Sequence, residues 1–166
     1  MRRPSWITGV TAAAVLLASA GAGVGAWAWA RGSGGHLPEI SAYSRGTTIQ
    51  VEPFLYCNVV DLRDCERPGT TGVLEVDDRN PVQLSVPSAI AGAPWRLLKV
   101  YEDERNSTAT SYRPGTTLAV RIPTIDPQRG RLAGFVVQLL TLVQDETGAL
   151  RDLPHAEWTV QLVFSG

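Results

Sequence analysis

Short apolar–polar alternations, separated by turn signals, recur from Thr47 to the end of the chain and restrict the fold to β-structure. In "PVQLSVP" (81–87), Val82, Leu84 and Val86 share one face while Gln83 and Ser85 share the other. A period of two with one apolar face is the pattern of a half-buried strand. The same reading covers "TTIQVE" (47–52), "GVLEV" (72–76) and Trp95 to Tyr101. "TATSYRPGTTLAVRIP" (108–123) reads as a hairpin turning at Pro114 and Gly115, with Leu118, Val120 and Ile122 facing inward. "RLAGFVVQLLTLVQ" (131–144) is apolar on both faces, and its β-branched residues predict a central strand. "HAEWTVQLVFSG" (155–166) supplies the closing strand. Eleven prolines and 16 glycines fit many turns. The expectation is an all-β, immunoglobulin-like β-sandwich of about seven strands over residues 47–166, with Trp95 in its core.

The first thirty residues follow a different rule. Arg2 and Arg3 precede an uncharged run from Trp6 to Ala30. At about 1.5 Å per residue, a helix of that length crosses a hydrocarbon core of about 30 Å. Trp6 and the pair Trp27 and Trp29 mark its ends, where amphipathic rings favour the interface. The paired arginines orient the N-terminus to the cytoplasm and the rest outward. Residues 1–30 therefore read as a signal-anchor or signal peptide. The run is longer than a signal peptide's apolar region, whereas Ala28 and Ala30 match a cleavage site, so cleavage stays open. Residues 31–46, rich in Gly and Ser, read as a flexible linker. Both readings export residues 31–166, either held at the outer face of the cytoplasmic membrane or secreted into the cell envelope.

Export decides the meaning of Cys57 and Cys65, the two cysteines of the chain. Outside the cytoplasm disulfides persist. A C-x-x-C redox motif needs closer spacing, and a zinc site needs four ligands where His36 and His155 are the available histidines. The spacing predicts a Cys57–Cys65 disulfide that pins "VVDLRD" (59–64) as a surface loop.

Chemistry beyond this is sparse. Fifteen basic and 16 acidic residues give a net charge of −1, which argues against a nucleic-acid binder and its basic face. His155 is the folded region's candidate base, and the chain has no G-x-S-x-G elbow, so no catalytic set is assigned. The acidic groups at Asp77 and Asp78, at 102–104, and at Asp145 and Glu146 read as solvated turns rather than a calcium site. No metal or cofactor is assigned. Among the aromatic residues, Trp95 and Trp158 read as core, whereas Tyr112 beside Arg113 is the better contact with a ligand or partner. The candidate contact residues are Tyr112, Arg113 and His155.

"PFLYC" (53–57), Cys65, "APWRLLKVYED" (93–103), "IPTIDPQRGRLAGFVVQLLTLVQD" (122–145) and "LPHAEWTV" (153–160) carry a resemblance. The chain resembles a family of actinobacterial cell-envelope proteins catalogued as a domain of unknown function. The resemblance covers nearly all of the expected exported part. It implies an exported or membrane-attached, lipoprotein-like protein with no assigned activity, although this chain lacks an acylated cysteine after its apolar run. The expected function is a non-enzymatic extracytoplasmic binding or accessory module of the envelope. Its expected partners are the membrane, through the N-terminal helix, and an envelope protein or glycolipid. The alternatives are an envelope hydrolase using His155 or loop carboxylates, and a lipid or acyl carrier.

Overall fold

A computed structural model describes residues 36–165. The expected N-terminal helix and the start of the expected linker lie outside the described residues. Twelve strands follow in order: β1 Ile40–Ser44, β2 Thr47–Val51, β3 Leu55–Cys57, β4 Cys65–Glu66, β5 Thr71–Val76 and β6 Val82–Ser85. The second half holds β7 Trp95–Tyr101, β8 Thr108–Tyr112, β9 Ala119–Ile122, β10 Ile125–Asp126, β11 Gly130–Gln144 and β12 Leu150–Phe164. The described chain is all-β, with one helical turn at Ser88–Ala91 and one 3-10 turn at Glu104–Asn106.

The strands form two sheets. One has the order β2-β1-β6-β9, and the other runs β4-β3-β12-β11-β7-β8. β5 joins the second sheet in parallel with β12, pairing Thr71–Val76 with Thr159–Phe164. Both sheets bury alternate residues in one core: Ile40, Val51, Val82, Leu84 and Ile122 from the first meet Trp95, Phe135, Val137 and Trp158 from the second. Burial of this apolar area is the main stabilising term.

Three local expectations change. The expected linker at 31–46 contains β1, whose Ile40, Ala42 and Ser44 are buried. Its alternation is short and interrupted by small residues, but pairing with both β2 and β6 makes it an inner strand. The expected 108–123 hairpin is instead a crossover, because β8 pairs with β7 in one sheet and β9 pairs with β6 in the other. Leu118, expected inward, lies on that crossover and is exposed. The count of about seven strands is exceeded because β3, β4 and β10 are two or three residues long. Such pieces carry no readable alternation.

The two longest strands, β11 and β12, each span 15 residues and form the centre of the second sheet. Their ladder slips once. Leu139 pairs with Ala156 and Leu140 with Pro154, so His155 is the extra residue of a bulge. Proline has no N–H for the ladder, which makes this a natural place for pairing to shift. Beyond the bulge the ribbon continues to Gln144 and Leu150, with Leu142 and Leu150 exposed.

Candidate functional site: the cavity beside the disulfide

Cys57 and Cys65 face each other in register on β3 and β4 and form a disulfide. The loop between them folds on its own polar groups. The Asn58 amide donates to the Asp64 carbonyl, and the Asp64 amide donates to that of Asp61. Asn58 Oδ1 also accepts from the Val60 amide. This closed loop holds Val60 out in solvent at 91% exposure.

The bulge delivers His155 to the same place. A bulge turns its extra side chain out of the regular alternation, and here the ring is buried against β3 at 5% exposure. Its Nδ1 lies 3.1 Å from the Cys57 carbonyl. A carbonyl only accepts, so Nδ1 carries the proton in this bond. No hydrogen bond engages Nε2 among the described residues. Tyr56 meets the imidazole edge-on at 6.1 Å, and the same Tyr56 ring meets that of Trp158 edge-on at 6.2 Å.

The result is a cavity of about 370 Å³ lined by Tyr56, Asn58, Val59, Asp64, Glu66 and His155, together with Cys57. Asp64 and Glu66 are exposed at its rim, and neither enters an ion pair among the described residues. No Arg or Lys lines it. Among the described residues, no three His, Cys, Asp or Glu side chains are placed to hold a metal ion.

The other candidate contacts lie apart from this cavity. Tyr112 is half-buried and stacks on Trp95 at 4.2 Å and 21°. Burial pushes its phenol up from the ordinary value. Arg113 is exposed, and its carbonyl accepts from the Thr116 amide and hydroxyl. The structure therefore separates Tyr112 and Arg113 from His155. Sequence reasoning missed Asn58, Asp64 and Glu66 as cavity residues. The signal available was the disulfide itself, since a pinned loop brings the residues flanking both cysteines together.

The acidic turns serve as local hydrogen-bond acceptors. Asp77 accepts from the side chain and amide of Asn80 and from the Arg79 amide, which hold its carboxyl below the usual value. Asp103 is lowered by its bonds from the Arg105 side chain and amide. Asp145 is lowered furthest, to about 2, by the Thr147 hydroxyl and then by Arg151.

Residues 34–163 match the family model described as "Protein of unknown function (DUF2771)", and the chain belongs to that family. It is 63% identical over 150 residues to "Uncharacterized protein Rv0875c" of Mycobacterium tuberculosis (strain ATCC 25618 / H37Rv), covering 90% of this chain and 93% of that protein. "Uncharacterized protein Mb0899c" of Mycobacterium bovis matches with the same identity and coverage. No solved structure matches the chain.

Proposed function

We propose that this protein is a non-enzymatic binding module of the cell envelope, on an immunoglobulin-like sandwich, that takes its ligand in the cavity beside Cys57–Cys65. Export to the outer face of the cytoplasmic membrane is part of this reading. The uncharged run from Trp6 to Ala30, preceded by Arg2 and Arg3, supports it. The Cys57–Cys65 disulfide between β3 and β4 supports it from the other side, because such bonds persist in oxidising compartments. Two sheets closing on a buried Trp95 support the immunoglobulin-like frame.

The observation that carries the binding reading is the bulged His155. A buried ring is fixed on one side by the Cys57 carbonyl while its other nitrogen is left without a protein partner in an open cavity. Polar groups so placed are the orienting contacts of ligand pockets. The test is a nuclear magnetic resonance titration of the full oxidised chain in non-ionic detergent. Methyl glucoside, acetate and n-butylammonium serve as probes of three chemical classes. Saturable shifts clustered on Asn58, Glu66 and His155 with at least one probe are expected. Shifts confined to other surfaces, or none, contradict the reading.

A further inference from the structure

Resting on that binding reading, we infer that the cavity selects a protonated amine. Its polar wall carries the carboxylates of Asp64 and Glu66 and the His155 ring, beside one donor amide, that of Asn58, whose Oδ1 is taken by the Val60 amide. The Nδ1 proton is committed to the Cys57 carbonyl and is not available to a ligand. A ligand that satisfies the site must bring N–H or O–H donors. A positive charge adds the attraction of two carboxylates that no protein cation neutralises, and charge-assisted hydrogen bonds are the stronger kind.

A second cavity shows the contrast. It is about 410 Å³ and holds Asp77 and Asp78, but each has an arginine: Arg45 at 3.2 Å from Asp77, and Arg131 at 3.5 Å from Asp78. That site is neutralised from within. The cavity beside the disulfide is not. An ammonium suits it better than a hard cation, because hard cations take six or more oxygen ligands. An ammonium is satisfied by about three acceptors. Tyr56 adds an aromatic wall, against which the apolar stem of an alkylamine packs.

The amine belongs to a ligand such as a peptide or an amino sugar, and the shared feature is a primary ammonium on a short organic stem. The experiment compares n-butylammonium with tetramethylammonium, which has the charge but no N–H donor, by following His155 ring nitrogens and the Glu66 amide in the full oxidised chain. The expected result is saturable binding of n-butylammonium, at least tenfold tighter than tetramethylammonium and weakened by salt. The double variant Asp64→Asn/Glu66→Gln is expected to weaken it at least tenfold with unchanged thermal unfolding, since both side chains are exposed. Equal binding of the two cations, or binding unaffected by the double variant, overturns the inference. If methyl glucoside or acetate shifts the cavity residues and n-butylammonium does not, the amine assignment falls while the cavity remains a binding site. If no probe shifts them, both fall. Glycinamide and glucosamine then separate a peptide source from a sugar source.

Discussion

The His155 imidazole and the Cys57 carbonyl are joined by a 3.1 Å hydrogen bond across 98 residues of sequence. The bond ties the bulge of β12 to the strand that carries the disulfide. Removing the cystine therefore acts on both the loop and the cavity. The double variant Cys57→Ala/Cys65→Ala frees a loop whose ends are 8 residues apart. Chain entropy for so short a loop corresponds to about 2–3 kcal/mol. Urea unfolding of the oxidised protein and this variant measures the difference, and a change below about 0.5 kcal/mol contradicts the structural role of the disulfide.

Gly134 sits where β11 crosses the middle of the sheet. A Cβ built there stands 2.5 Å from the backbone carbonyl oxygen of Val160, closer than real Cβ contacts. The neighbour is main chain of a central strand, so it cannot rotate away. Gly134→Ala is expected to destabilise the domain by about 1–3 kcal/mol, in the range of overpacked cores. Thermal unfolding checks this, and an unchanged Tm contradicts the packing described.

Trp158 is fully buried, and its Nε1 donates to the Pro38 carbonyl at 2.7 Å. This bond fastens the chain just before β1 to the core of the second sheet. Trp158→Phe leaves that carbonyl without its partner and is expected to cost about 1–3 kcal/mol. Hydrogen exchange is expected to rise first in β1. Uniform exchange across both sheets contradicts a specific fastening.

Asp145 titrates at about 2 rather than 3.8, through bonds from the Thr147 hydroxyl, Arg151 and the Ala149 and Thr147 amides. A carboxyl lowered in the folded state favours folding above its unfolded value, and that contribution fades as pH falls through the folded one. The β11–β12 turn is thus expected to hold its structure at pH 5 and to loosen between about pH 4 and pH 2. Residue-specific titration by nuclear magnetic resonance gives the midpoint directly. An Asp145 midpoint near 4, or a turn indifferent to Asp145→Asn, contradicts the assignment.

The longer strands are legible in the sequence because their periodicity is undisturbed. Val82 and Leu84 alternate with Gln83 and Ser85, and the structure buries the expected face. β7 has the expected limits, from Trp95 to Tyr101. The β1 strand is hidden because Ser41, Ala42 and Ser44 give weak hydropathy contrast, and its burial comes from two neighbours brought from elsewhere in the chain. The crossover at 113–118 is hidden for a similar reason. Pro114 and Gly115 announce a turn, but sequence does not say which sheet each flanking strand joins. His155 stands out as an isolated histidine, whereas its seat against the Cys57 carbonyl depends on a one-residue slip between β11 and β12 that only pairing reveals.

The most direct test of the account is the oxidation state of Cys57 and Cys65 in protein taken from its native cells, trapped at once with a thiol-alkylating reagent and analysed by mass spectrometry without reduction. The expected result is recovery in the envelope or secreted fraction with neither cysteine alkylated and the two joined to each other. Recovery from the cytosol with both thiols alkylated contradicts export, the closed loop and the cavity built upon it.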